Sequence, residues 1–181
     1  MTTNNKHYHA VQFYKDEESL ASTVAGFLAD GFESGEPAIV VATPAHTSTI
    51  LRELKALGLD THDLRRVGQL QLLDAQKMLS AFMVNSMPDQ LLFRSNVGDV
   101  IERMCAARQP CPIRAYGEMV DLLWQQGNEN GAIRLEILWN QLASSYEFSL
   151  LCGYAVGHFY KETRESRIEE VRSQHSHVVA P

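Results

Sequence analysis

The chain of 181 residues is 45% hydrophobic and 21% charged, a composition typical of a globular protein with one substantial core. Its net charge of −6 argues against a broad basic face, so neither nucleic acid nor an anionic membrane is an expected partner. No apolar run reaches the roughly 18 residues that a membrane-spanning helix requires.

Five short apolar stretches predict β-strands, and helical patterns separate them. Several of these strands are apolar throughout, as expected when helices cover both faces of a parallel sheet. The alternation of strands and helices predicts the α/β class, as a three-layer sandwich with a mainly parallel sheet. Ala38–Ala42 and residues 149–152 are expected inside that sheet. The predicted strands are AVQFY, AIVVAT, LQLLDA, IRAYG and FSLLCGY.

The first two helices are marked by apolar residues at helical spacing and by capping signals. The first is expected over residues 19–32. The second follows Thr43 as N-cap, with Pro44 in the first helical position and Gly58 as the stop signal.

Three more helices follow the same spacing. The third is expected to begin after Asp74 as N-cap and to end at Pro88. The fourth is predicted over residues 93–104 and the fifth over residues 135–142. Residues 1–160 are therefore expected to form a single domain.

The segment 161–181 differs from the rest because it is charged and has only Ile168 and Val171 as apolar anchors. We expect a short amphipathic helix followed by a loose tail. With so little surface to bury, the segment should either fray or become ordered by docking on the core or on a second subunit.

Cys105, Cys111 and Cys152 form no C-x-x-C motif. Their odd number, and the lack of an apolar N-terminal signal region, predict reduced cysteines and a cytoplasmic location. Cys152 lies in an apolar run and is expected in the core.

Ligands of open α/β sheets bind at the carboxyl ends of the strands. The polar residues that follow the predicted strands are therefore the candidate ligand-binding residues. They form a rim of carboxylates, tyrosines and one histidine. The candidates are Tyr14, Thr43, His46, Asp74, Tyr116 and Glu118.

Two of these candidates allow more than one interpretation. Glu118 could accept hydrogen bonds from a ligand, pair with Arg114 or Arg134, or cap the helix MVDLLW. His46 could contact a ligand or serve as a partly exposed capping residue. The residue types alone do not decide between these roles.

The turn after the first strand, YKDEES, lies where a phosphate-binding protein carries glycines and a lysine. It contains no glycine, and its three acidic side chains complement the helix dipole themselves. Carboxylates this close to a triphosphate are costly in a cleft of low dielectric constant. The turn therefore predicts helix capping rather than nucleotide binding.

Metal binding and catalysis have weak support. The motifs HYH (7–9) and HSH (175–177) each place two histidines on one face of an extended segment. Both lie near the chain ends without a supporting cysteine or carboxylate spacing, so no metal is expected. The motifs G-x-S-x-G and H-E-x-x-H are absent. We therefore expect no enzymatic activity and no cofactor.

Five collinear stretches carry a resemblance to a known family: HAVQFYKDEESL, GEPAIVVATPAH, LQLLDAQKMLSAFMVNSMPD, IRAYGEMVDLLWQQGN, and AIRLEILWNQL with FSLLCGY. They resemble the MEDS domain, the sensory domain named for methanogens, methylotrophs and the regulator DcmR. The piece RAYGEMVDLLW is the most specific of them.

The resemblance implies a RecA/KaiC-like fold without a working P-loop, which senses small ligands such as hydrocarbon derivatives. Glu118 occupies the position expected of the Mg²⁺-binding acidic residue in those ATPases. Many family members carry a histidine kinase, anti-sigma or DNA-binding domain on the same chain. This sequence ends at Pro181, so we expect its output to pass through a separate signalling protein.

The leading hypothesis is a non-catalytic sensory module of prokaryotic signal transduction. An unknown small organic ligand at the rim would shift the population of rim conformations, and a partner would bind one of them. The first alternative is an interaction or assembly protein of RecA-like fold, possessing no small ligand and forming a homo-oligomer. The second alternative is an active ATPase.

Overall fold

The computed structural model describes residues 8–108, 110–159 and 165–179. Within these ranges the chain alternates between strands and helices. The strands are β1 (His9–Tyr14), β2 (Ala38–Ala42), β3 (Leu70–Asp74), β4 (Met83–Val84), β5 (Met87–Pro88), β6 (Ile113–Gly117), β7 (Phe148–Ala155) and β8 (His177–Val179).

The helices fill the connections, and a 3₁₀ turn (Val156–Phe159) follows β7. None of the described helices combines the length and the apolar character needed to cross a bilayer. They are α1 (Glu17–Glu33), α2 (Pro44–Ala56), α3 (Thr61–Arg66), α4 (Ala75–Phe82), α5 (Gln90–Cys105), α6 (Met119–Gln125), α7 (Glu129–Leu142) and α8 (Glu165–Ser173).

Six strands form one parallel sheet in the order β3-β2-β6-β7-β1-β8, and β4 and β5 form a separate antiparallel hairpin. All five strands predicted from apolar runs are present. β2 lies between β3 and β6, and β7 lies between β6 and β1, so both strands expected inside the sheet are confirmed there.

Side chains alternate between the two faces of the sheet because the strands are extended. Tyr116 and Leu151 pack against the layer of α1, α2 and α3. Ala115 and Leu150 pack against the layer of α4, α5, α6, α7 and α8. The predicted three-layer α/β sandwich is therefore confirmed.

The structure contains the predicted capping residues of α1 and α2. Asp16 Oδ1 accepts a hydrogen bond from the Ser19 N–H at 2.7 Å, so the turn after β1 caps α1. Thr43 caps α2, which ends at Ala56 and is followed by Leu57 as C-cap and then by Gly58. The φ of +86° at Gly58 explains the choice of glycine at this position.

The third predicted helix ends earlier than expected. Helix α4 stops at Phe82 rather than Pro88, because residues 83–88 form the β4–β5 hairpin. Asn85 and Ser86 connect its strands with φ of 49° and 63°, the left-handed conformation that a two-residue hairpin turn requires. Helix α3, with six residues, was not predicted because it is too short to show periodicity.

The loose tail expected after the last helix is wrong for the described residues up to Val179. Strand β8 pairs parallel with β1, with Ala10 opposite His177. Ser176 N–H donates to His9 O at 2.8 Å, and Val171 of α8 is fully buried. The segment gains its order by docking on the core, since β1 would otherwise be an uncovered edge strand.

The cysteines also differ in part from expectation. Cys105 and Cys111 form a disulfide that joins the end of α5 to the approach to β6. The prediction of reduced cysteines is therefore wrong for this pair, whose Cα atoms lie 5.6 Å apart and within bridging distance. Cys152 is a free thiol in the core, as predicted.

Candidate functional site

Glu118 forms the centre of a hydrogen-bond network at the carboxyl edge of the sheet. It follows β6 directly and is only 2% exposed. Its Oε1 accepts a hydrogen bond from the Thr43 N–H at 2.6 Å, and its Oε2 accepts one from the Tyr116 hydroxyl at 3.0 Å. His46 Nδ1 lies 2.6 Å from the same Oε2. We call these four residues the Glu118 network.

The parallel register of β2 and β6 brings the network together. Val41 lies opposite Gly117, so the residues that follow leave the sheet side by side. The Glu118 N–H donates to Val41 O at 3.2 Å. Tyr116, two residues earlier, points to the same face because side chains alternate along a strand. One carboxylate therefore links the end of β6 to the first turn of α2.

A second buried carboxylate, Asp121, extends the polar contacts toward β1 and β7. Its Oδ2 accepts hydrogen bonds from the Tyr14 hydroxyl at 3.3 Å and from Gln125 Nε2 at 2.8 Å. Its Oδ1 accepts from the Ala155 N–H at 3.2 Å. Sequence reasoning missed Asp121, although its position three residues after Glu118 places both on one helix face.

The surroundings of the Glu118 network favour a protonated His46 and neutral phenol groups on Tyr14 and Tyr116. The hydrogen bond to Glu118 raises the pKa of His46 above its usual value. Burial raises the pKa of Tyr14 and of Tyr116, so both phenols stay protonated. The His46 side chain is 14% exposed, with Nε2 lying 3.8 Å from Glu17 Oε1. Solvent therefore reaches the network at His46.

Five of the six predicted rim residues meet at this edge, and the sixth does not join them. Asp74 ends β3, and its Oδ1 accepts a hydrogen bond from the Lys77 N–H at 2.8 Å. It therefore caps α4, as its position also predicted. Ligand binding by the six residues stays a prediction. The five that meet are Tyr14, Thr43, His46, Tyr116 and Glu118.

The contacts of the Glu118 side chain do not support the two structural roles considered for it, which were capping of α6 and pairing with Arg114 or Arg134. Its carboxylate makes no capping hydrogen bond to α6. Arg114 instead pairs with Glu36 at 2.6 Å, and Arg134 donates to Gln90 at 3.4 Å. Glu118 acts instead as an acceptor within the network.

Gly153 of β7 gives Tyr116 the space it needs to reach Glu118. A Cβ at position 153 would lie 2.9 Å from the Tyr116 hydroxyl and 3.3 Å from Leu20 Cδ1. Because Tyr116 is fully buried, it has little freedom to move away. We expect Gly153→Ala to destabilise the fold by about 1–3 kcal/mol in urea denaturation.

The matched control for this prediction is Gly26→Ala. Gly26 lies inside α1 and its added Cβ would meet nothing within 4 Å. Alanine there should stabilise the helix by roughly 0.5–1 kcal/mol. Equal effects of the two substitutions would show that Gly153 is not required by this packing.

A second polar group of side chains lies on the opposite face of the sheet. His9, Glu136, Cys152 and His175 bring one ligand atom each to within 4.8 Å of one another. The expectation of no metal rested on the lack of a cysteine or carboxylate near the two histidine motifs. The fold supplies both groups from β7 and α7, at spacings that the sequence does not reveal. We call these four residues the His–Cys cluster.

The cluster has unusual electrostatics. Burial opposes ionisation of Glu136, but His175 and His9 outweigh it and hold the pKa of that carboxyl well below its usual value. Burial also opposes a charge on His175, and Glu136 reverses this by raising the pKa of that imidazole. Burial raises the pKa of the Cys152 thiol. The two imidazoles therefore stabilise a fully buried carboxylate.

Comparison with known proteins agrees with this architecture. Residues 8–176 match the family model of MEDS, the methanogen/methylotroph, DcmR sensory domain. The fold is similar to the crystal structure of a KaiC-like protein from the hyperthermophilic archaeon Pyrococcus horikoshii OT3, with a TM-score of 0.56 and 16% sequence identity. That similarity covers 83% of this chain and 64% of the KaiC-like protein, and at this identity it shows the fold alone. No curated protein matches the sequence.

Proposed function

Because the chain belongs to the MEDS family of sensory domains, we propose that it is a non-catalytic module that senses a small organic ligand in prokaryotic signal transduction. Its signal passes to a separate protein, such as a histidine kinase, an anti-sigma factor or a transcription regulator. The observation that carries this proposal is the Glu118 network, in which one buried carboxylate connects a strand end to the start of α2.

The chemistry of the network limits the ligand. Glu118 and Asp121 are both about 2% exposed and place two carboxylates at the strand ends. An anionic ligand is repelled there at low effective dielectric constant. The site is suited to a neutral or cationic molecule that donates a hydrogen bond to Glu118 in place of His46 or of the Thr43 N–H.

Such a ligand would act by population shift. Thr43 and His46 lie at the N-terminus of α2, so a ligand that replaces either contact releases the first turn of this helix from β6. The ligand shifts the equilibrium only by the difference in its affinity for the two arrangements. The partner would then bind the released arrangement of α2.

ATP does not suit this site. Asp16 caps α1, and Glu17 and Glu18 occupy its first turn, where a nucleotide phosphate would lie in a P-loop protein. Glu17 also lies near His46 at the solvent-facing side of the network. The active ATPase is therefore the weakest of the three hypotheses.

The closed packing of the network supports one alternative function. Tyr116 is fully buried and Glu118 nearly so, with their polar atoms satisfied by the chain itself. A filled strand end is what an interaction or assembly protein of this fold, with no small ligand, would show. This alternative predicts self-association instead of ligand binding.

A thermal-shift screen of wild-type protein and Glu118→Gln tests the proposal against this alternative. The screen contains small neutral and cationic organic compounds, with Mg²⁺–ATP as a separate arm. A ligand at 100 times its Kd adds about 2.7 kcal/mol, which raises the Tm on the order of 5–10 °C for a chain of this size. We expect such a shift in the wild type and its loss in Glu118→Gln.

The control is Glu33→Gln, the same substitution at an exposed position at the end of α1. This variant should keep the full ligand-induced increase in Tm. A shift that survives in Glu118→Gln would place the ligand elsewhere. Concentration-dependent assembly with no ligand shift would favour the alternative. Micromolar ATP binding would contradict the argument from the acidic turn.

A further inference from the structure

The atoms of the His–Cys cluster have the spacing of metal ligands. His9 Nε2 lies 3.1 Å from Glu136 Oε2 and 3.3 Å from Cys152 Sγ. Cys152 Sγ lies 3.4 Å from Glu136 Oε2. Ligands around a tetrahedral zinc ion lie about 3.3–3.7 Å apart, as follows from bond lengths of about 2.0–2.3 Å. Three of the four ligand atoms therefore already lie close to this spacing, and the ligand atom of His175 lies within 4.8 Å of them.

Both histidines present the correct nitrogen to the cluster. His9 Nδ1 lies 2.9 Å from Asn140 Oδ1, and His175 Nδ1 lies 2.7 Å from Val171 O. Because both partners are acceptors, each Nδ1 carries a proton, and each Nε2 is the nitrogen that can bind a metal ion once it is deprotonated. Metal-binding histidines are commonly oriented by such hydrogen bonds from the other ring nitrogen.

The fourth ligand, His175, also has its Nε2 oriented toward the cluster. The His175 side chain is 0% exposed, and its Nε2 has no hydrogen-bond partner among the described residues, although Glu136 Oε1 lies 3.4 Å away. The Tyr154 hydroxyl donates to the same Oε1 at 2.8 Å and holds the carboxylate in place. A buried imidazole nitrogen that makes no hydrogen bond of good geometry is costly, and a metal ion bound to it would remove this cost.

We propose that His9, Glu136, Cys152 and His175 bind one divalent transition-metal ion, with Zn²⁺ as the metal best suited to two imidazoles, one thiolate and one carboxylate. Binding forms the Sγ–metal bond and releases the Cys152 proton, with any proton on the two Nε2 atoms, to solvent. Two ligand charges of −1 then balance the charge of the ion. Four protein ligands leave no open position, so the site is structural rather than catalytic.

The position of the site gives it a defined role. His175 lies in the connection from α8 to β8, whereas the other three ligands lie on β1, α7 and β7. The ion therefore fastens the C-terminal segment to the sheet. His9 and His175 also line a surface cleft of about 470 Å³, which provides a route for the ion to enter.

Cobalt titration of the tag-free chain, treated with chelator and kept free of reductant, tests the proposal. Co²⁺ replaces Zn²⁺ in tetrahedral sites and shows a thiolate-to-cobalt charge-transfer band when a cysteine binds it. Because Cys105 and Cys111 are joined, Cys152 is the one thiol that can produce this band. A thiol count in denaturant, expected to be one per chain, checks this premise.

The expected result is one Co²⁺ per chain with the charge-transfer band, displaced by Zn²⁺. Cys152→Ser should abolish the band. His175→Gln should weaken Co²⁺ binding by more than the roughly 10–100-fold that loss of an outer hydrogen-bond partner costs. The control His177→Ala, in the same HSH motif but exposed on β8, should bind as the wild type does.

Two results would overturn the proposal. One is a wild-type chain that binds no Co²⁺ or Zn²⁺ at stoichiometric concentration. The other is Co²⁺ bound without the thiolate band, which would place the ion at other side chains. Both are measured on the wild type, so the test holds even when a variant fails to fold.

Discussion

Glu36→Ala is expected to lower the free energy of unfolding by about 3–5 kcal/mol, the range for breaking a buried ion pair from one side. Glu36 Oε2 accepts a hydrogen bond from Arg114 Nε at 2.6 Å, and both residues are less than 10% exposed. The guanidinium also donates to Phe27 O at 3.2 Å and stacks over the Phe27 ring at 5.0 Å. These contacts hold Arg114 in place, so the loss of Glu36 leaves its charge buried.

Urea denaturation of Glu36→Ala and of Glu169→Ala provides the measurement and its control. Glu169 pairs with Arg172 at 2.8 Å on the surface of α8, where such a pair contributes about 0–1 kcal/mol. A double variant, Glu36→Leu with Arg114→Met, should recover part of the loss because it removes the unpaired charge. Similar losses for the buried and the surface pair would contradict the prediction.

Truncation after Ser173 is expected to cost about 3–5 kcal/mol when measured in the presence of a chelator, so that no metal contributes. It removes His175, which faces the buried Glu136 carboxylate at 3.4 Å. It also removes β8 and uncovers the backbone of β1. The measurement is the urea midpoint of the truncated and full chains.

Val178→Thr is the control for the truncation. Val178 lies in β8 and is 53% exposed, so the substitution should change stability by no more than about 0.5 kcal/mol. A truncated chain as stable as the full one would contradict this prediction. It would support the loose tail that the sequence alone predicted.

The sheet could be predicted from the sequence because its inner strands are distinctive. The runs at Ala38–Ala42 and residues 149–152 are too short for buried helices and too apolar for exposed strands. His177–Val179 has neither property, since β8 has only three residues and takes its order from β1. Helix α3 and the hairpin at Asn85 were missed for the same reason of length.

The Glu118 network could be anticipated in part. Parallel strands place their ends at one edge, so Thr43, His46 and Glu118 were expected together before their contacts were known. The detailed pairing could not be predicted, because it depends on the register of Val41 against Gly117.

The His–Cys cluster was beyond sequence reasoning. His9 and His175 belong to opposite ends of the chain and meet only because β8 docks beside β1. Cys152 and Glu136 have no metal-ligand motif around them, and only the packing of α7 on β7 brings them to 3.4 Å. Strand order decides this site, and local sequence patterns do not determine strand order.

The parallel pairing of β8 with β1 also determines how an attached protein would be tethered. Val179 lies opposite Gln12, so the chain runs from the cluster edge at His175 toward the edge where Tyr14 ends β1. A fluorescent reporter fused after β8 would leave the sheet at the same edge as the Glu118 network, three strands away from β6. A reporter fused before β1 would lie at the opposite edge of the sheet, beside the His–Cys cluster. The two fusion points therefore place a reporter at opposite edges of the sheet, one on the side of the Glu118 network and the other on the side of the His–Cys cluster.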